Sequence, residues 1–142
     1  MSLEKLYQLT IMEYNKRDDL KGEIENATDV ERGHNPSCGD DFSIVLKVEK
    51  ERIVNASFLG SGCAISTASA AMLVELIKYE YVSKAKEILD VFFKVMKGEN
   101  VSDTEKDILG EAKLLEITKD MPARIKCSTL AWHSLKVMLE KY

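Results

Sequence analysis

The sequence predicts an α+β protein: a small antiparallel sheet of about three strands with helices packed on one face. Two observations carry that expectation. Apolar residues alternate with period two only between residues 42 and 58, while helical spacing governs the N-terminus and most of the chain after residue 63. Strands therefore cluster early and helices late, which segregates the two classes instead of interleaving them. The length, 142 residues, suits one domain spanning 1–142 around one core. No internal repeat or low-complexity tract argues for a second.

The elements follow in order. Leu3, Leu6, Tyr7, Ile11 and Met12 recur near helical spacing, with Glu4, Lys5, Gln8 and Glu13 between them, so residues 3–16 form an amphipathic helix. Residues 17–37 are polar, carry Gly22, Gly33 and Pro36, and read as a long connection with a short strand around 28–32. Phe42, Ile44, Leu46 and Val48 then alternate with Ser43, Val45, Lys47 and Glu49. After the charged turn 49–52, Val54, Ala56 and Phe58 alternate with Asn55 and Ser57, completing a half-buried hairpin. Gly60-Ser61-Gly62 ends the second strand, and a helix begins at Cys63 with Ile65, Ala68, Met72, Leu73, Leu76 and Ile77 inward. A helix over 83–97 buries Ile88, Leu89, Phe92, Phe93 and Met96 and stops at Gly98. Ser102-Asp103-Thr104-Glu105 fits a capping box. Residues 110–120 fit no regular pattern. Pro122 suits the first position of a last helix running to about 140.

Composition narrows the function. A net charge of -4 and a pI near 5.3 argue against a nucleic-acid binder. The most apolar stretch, 63–77, is shorter than a membrane span and contains Ser66, Thr67, Ser69 and Glu75. Residues 1–5 lead into a charged periodic segment without an apolar run of signal type, so a cytoplasmic protein without a membrane partner is expected. Three cysteines, an odd number in such a chain, disfavour a disulfide framework and favour metal binding or reactive thiols.

Each cysteine has an informative neighbourhood. Cys38-Gly39-Asp40 precedes the hairpin, and Gly39 lets the chain turn so that a thiolate and a carboxylate face one point. Alone, the same triplet also fits a turn capped by its aspartate. Cys63 stands at a strand-to-helix junction, where free amides stabilise a thiolate. Cys127 lies near the start of the last helix, with Arg124 and Lys126 supplying positive charge close by. Should Cys38, Asp40, Cys63 and Cys127 converge, they meet zinc's preference for four ligands drawn from thiolate, imidazole and carboxylate. Three thiolates and a carboxylate exceed the charge of a divalent cation, and Arg124 is the residue expected to offset the excess. His34 is expected as a solvated loop residue and His133 as packed or exposed on the last helix. Gly60-Ser61-Gly62 lacks the Gly-Lys-Ser/Thr of a phosphate loop.

Three segments together resemble the U-type iron–sulfur cluster assembly family, the IscU/SufU group with its NifU N-terminal-like domain. They are Asn35-Pro36-Ser37-Cys38-Gly39-Asp40, the run from Phe58 through Gly60-Ser61-Gly62-Cys63 to Ala70, and Pro122-Ala123-Arg124-Ile125-Lys126-Cys127. The resemblance implies a small α+β fold with the three cysteines and the aspartate at one exposed end. There they bind zinc, with Cys38, Cys63 and Cys127 also able to ligate a transient [2Fe–2S] cluster. It implies as partners a cysteine desulfurase of the SufS type and recipient apo-proteins or cluster carriers. Lys126 occupies the position where the scaffold branch has histidine, and the stretch between Cys63 and Cys127 is long. Both features look like the SufU branch, a metal-binding acceptor of persulfide sulfur and at most a zinc-dependent sulfurtransferase. The alternative is a scaffold on which a [2Fe–2S] cluster is built and handed on. Cys38 is the expected sulfur acceptor, because its glycine-containing loop can free it and only a free thiolate attacks a persulfide well.

Overall fold

Alternation along the hairpin builds the sheet. In the computed structural model, which describes residues Met1–Tyr142, strands β1 (Asp29–Asn35), β2 (Asp40–Glu49) and β3 (Arg52–Ser61) pair antiparallel in chain order. Alternate residues share a face, and the register sets Ile44 against Phe58 and Leu46 against Ala56 on the buried one. Two details differ from the expectation. Strand β1 extends to Asn35, because the ladder continues through polar residues to the pair Asn35–Asp40. Ile53 rather than Val54 points into the core, since the register shifts between Lys47 and Val48 and reverses the parity of β3.

Helix α1 (Leu3–Asn15) starts on Ser2, whose side chain accepts from the Lys5 amide. Helices α2 (Ala64–Ile77), α3 (Val82–Met96), α4 (Asp103–Lys106) and α5 (Pro122–Leu139) follow the hairpin. The capping box at Ser102 and Glu105 is present. Residues Asp107–Asp120, which fit no α-helical or strand period, form 3-10 turns broken at Gly110. Four of their five buried residues, Leu109, Ala112, Leu115 and Thr118, recur every third position, the 3-10 period, and Leu114 is the fifth.

Helices α2 and α5 cover the apolar face of the sheet, and α3 packs behind them. Nearly all of α2 is buried, with Ala68, Ala70 and Ala71 allowing close approach. Trp132 of α5 stacks on Phe92 of α3 with ring centroids 3.7 Å apart. Its indole N–H donates to Ser69 Oγ at 2.8 Å, and Ser69 Oγ donates to the Ser128 carbonyl at 2.6 Å. The Ser128 and Thr118 hydroxyls meet at 2.7 Å. A buried donor left unpaired costs about 1–3 kcal/mol. This ladder therefore fixes how α5 sits along α2, and with it where Cys127 lies. No helix is long and apolar enough to cross a membrane.

Candidate metal centre

One end of the sheet gathers the three segments that carry cysteines. The pair Asn35–Asp40 closes the turn between β1 and β2, and the Cys38 amide donates to the Asn35 carbonyl at 3.2 Å. Gly39 completes the turn at φ +71°, a left-handed conformation that glycine adopts without steric cost. Cys38 is thereby left exposed at the tip. Its sulfur accepts from Asn35 Nδ2 at 3.2 Å, and the Ser37 hydroxyl donates to Asn35 Oδ1 at 2.7 Å, which orients that amide.

Asp40, the first residue of β2, is fully buried. Its Oδ1 accepts from the Cys63 amide and from the Ser66 hydroxyl, each at 2.9 Å. Its Oδ2 is buried without any hydrogen-bond partner. The link from β3 to α2 presses against this carboxylate at Gly62. A Cβ there would lie 2.6 Å from Ser66 Oγ and 2.7 Å from Phe42 Cε2, and would also strike Asp40 Oδ1.

Cys63 is the N-cap of α2, and its sulfur accepts from the Ser66 amide at 3.4 Å. Cys127 is buried in the second turn of α5, with its sulfur 3.7 Å from that of Cys38. The sulfurs of Cys38 and Cys127 and a carboxylate oxygen of Asp40 all lie within 4.8 Å of one another. Cys63 lies outside that triangle but close enough to act on Cys127. Burial pushes the Cys127 thiol pKa well up, and hydrogen bonding with Cys63, Asp40 and Cys38 and the charge of Cys63 push it further.

Arg124 and Lys126 are exposed on the first turns of α5, while the groups that act on the Cys127 thiol are themselves acidic. Arg124 lies along a groove with Tyr7, Ile65 and Met121. His34 is exposed on β1 opposite Asp41, and the His133 ring lies 4.7 Å from Phe93. Neither joins the cluster.

The donor set suits a divalent cation. A buried carboxylate that has one oxygen without a donor and is grouped with two sulfurs is a partner a cation completes, and thiolate with carboxylate matches zinc chemistry. Two contributors escape sequence reasoning: Asn35 at Cys38 and Ser66 at Asp40. Only Ser66 carried a signal, since it stands three residues after a helix-capping position.

Comparison with known proteins adds kinship to this geometry. Residues 6–128 match the family described as the NifU-like N-terminal domain. The chain is 36% identical over 141 residues to the iron–sulfur cluster assembly scaffold protein IscU of Thermotoga maritima, covering 99% of this chain and 97% of that protein. It is 34% identical over 135 residues to the zinc-dependent sulfurtransferase SufU of Bacillus subtilis, covering 95% and 90% respectively. A crystal structure from Fervidobacterium islandicum, described as a candidate iron–sulfur cluster assembly scaffold for the SUF system, superposes with a TM-score of 0.84 at 34% identity. It covers 92% of this chain and 94% of that one.

Proposed function

The chain belongs to the family of NifU-like N-terminal domains, the IscU/SufU group, and on that premise we propose that it serves iron–sulfur cluster assembly as a metal-binding acceptor of persulfide sulfur, as SufU does. One observation carries the proposal: an exposed thiol, Cys38, stands beside a buried thiol and a buried carboxylate whose second oxygen has no partner. Cys38, Asp40, Cys63 and Cys127 are the residues that would hold zinc, with Arg124 on the rim to offset their excess negative charge. Bound zinc would keep the thiols deprotonated.

The chain's own residues supply the rest. The Asn35 amide holds the Cys38 sulfur at the exposed tip, within reach of a partner. The Cys38 thiolate attacks the terminal sulfur of the donor's persulfide. A new S–S bond forms on Cys38, the donor's S–S bond breaks, and the donor cysteine leaves as a thiolate that takes a proton. The donor is a cysteine desulfurase of the SufS type, and the sulfur goes on to cluster carriers or apo-proteins. Three free thiols suit a reducing compartment, which we take to be the cytoplasm.

The second reading, a scaffold for a [2Fe–2S] cluster, is favoured by the full-length match to IscU. Native mass spectrometry separates the two, before and after reaction with desulfurase, cysteine and iron. Zinc retained with one added sulfur, lost in Cys38→Ser, is the expected outcome. Gain of a [2Fe–2S] mass instead supports the scaffold, and neither zinc nor added sulfur overturns both.

A further inference from the structure

A carboxylate offers a cation two oxygens, and hydrogen bonding at Asp40 decides which of them is open. Oδ1 accepts from the Cys63 amide and from the Ser66 hydroxyl, each at 2.9 Å, while Oδ2 has no partner. Each carboxylate oxygen carries two lone-pair sites, so two donors fill Oδ1. The amide is fixed by the backbone; the hydroxyl depends on one side chain. Ser66 stands in the first turn of α2 and is only 2% exposed. Its hydroxyl also lies 3.0 Å from the Cys63 carbonyl oxygen and 3.4 Å from the Cys63 sulfur. It has one proton to give, and a carboxylate is the strongest acceptor of the three. Gly62 closes the same side of the site, since a Cβ there would strike Oδ1 and lie 2.6 Å from the Ser66 oxygen.

We propose that Ser66 is a positioning residue whose hydroxyl closes Oδ1 to a cation, so that Asp40 ligates through Oδ2 alone. The inference rests on the metal-binding reading above and deepens it by naming a residue that selects the metal. With one oxygen from Asp40 and one sulfur from each of the three cysteines, the site offers four donors, the number zinc takes. Were both oxygens open, the carboxylate would ligate through the pair and the site would offer five. Harder cations such as manganese(II), which favour six oxygen-rich positions, gain from the extra oxygen. Ser66 thereby sets the coordination number, and through it the preference for zinc, by acting on Asp40.

The test compares wild type with Ser66→Ala and Ser66→Thr, using cobalt(II) as probe. Four-coordinate cobalt absorbs strongly in the visible, and a fifth donor weakens the band. Wild type and Ser66→Thr, which keeps the hydroxyl, give the strong band. Ser66→Ala gives the weak one, and its preference for zinc over manganese(II), read by chelator competition, falls about tenfold. A hydroxyl that served the fold alone would change the melting temperature and leave band and preference where they are. Ser66→Ala with the wild-type band and preference, or Ser66→Thr that behaves as Ser66→Ala, overturns the role of Ser66 alone. Should Ser66→Ala not fold, the wild type still decides by infrared spectroscopy. The Asp40 carboxylate stretches, identified by their loss in Asp40→Asn, split widely with zinc bound when one oxygen ligates; a narrow splitting overturns the proposal. Failure of the wild type itself to take up cobalt and zinc overturns the metal-binding reading along with it.

Discussion

Asp40→Asn separates what the carboxylate does for the fold from what it does for a cation, because the two effects have opposite sign. An asparagine carbonyl in the place of Oδ1 keeps the bonds from the Cys63 amide and the Ser66 hydroxyl, both 2.9 Å. The substitution replaces the unpartnered oxygen with an amide nitrogen that donates instead of accepting. Relief of an unpaired buried acceptor stabilises the metal-free protein by about 1–2 kcal/mol. Unfolding entropy for a chain of 142 residues is about 0.3 kcal/mol per kelvin, so the melting midpoint rises by about 3–7 °C. With zinc in excess the order reverses. Each tenfold loss of zinc affinity removes about 1.4 kcal/mol of linked stabilisation, or about 4–5 °C of the zinc-induced rise. Calorimetry in chelator and in excess zinc reads both numbers. The reasoning is refuted by a metal-free variant that melts below wild type, or by equal zinc-induced shifts in the two proteins.

Gly62→Ala places a methyl group on Asp40 Oδ1, Ser66 Oγ and the Phe42 ring; it should cost about 1–3 kcal/mol in urea unfolding and weaken zinc in a chelator competition. Unchanged zinc affinity would count against a carboxylate held by that close approach. At the far side of the sheet, burial of Asp29 acts to raise its pKa but is outweighed by bonds from Lys141, Tyr142 and Thr28, so the net shift is downward. A carboxyl with a depressed folded pKa contributes stability that is complete above its unfolded value of about 4 and is lost as pH falls through the folded one. Melting in chelator should therefore drop below about pH 4 in wild type, with a shallower drop in Asp29→Asn; identical acid limbs would refute the assignment.

The parts of the fold that were legible in the sequence are those where burial writes a period into it. Phe42, Ile44 and Leu46 betray β2, and Phe92 and Met96 betray α3. Strand β1 was half hidden because Gly33, His34 and Asn35 join the ladder through backbone alone. Residues 110–120 resisted assignment because they form 3-10 turns in which Ala112, Leu115 and Thr118 follow a period of three. At the site, Cys38, Asp40 and Cys127 stood out as local motifs and the structure brings them together, with Cys63 just beyond. Asn35 and Ser66 act through contacts that depend on how the turn and α2 converge.

The same convergence grades the candidate ligands by depth, and depth sorts their roles. Asp40 is sealed, Cys127 buried, Cys63 half-buried and Cys38 open. A cation must expel a proton from Cys127, whose buried thiol among acidic neighbours otherwise holds it, so affinity is coupled to pH through the interior of the site. Moving Asp40 would strand a carboxylate in the core and leave the Cys63 amide and Ser66 hydroxyl without their acceptor. Moving Cys38 gives up a hydrogen bond from the Asn35 side chain and two longer contacts, with Ser37 and Cys127, at an exposed glycine-bearing turn. Of the four groups, Cys38 is the one that can reach a partner and return while the rest of the site stays assembled.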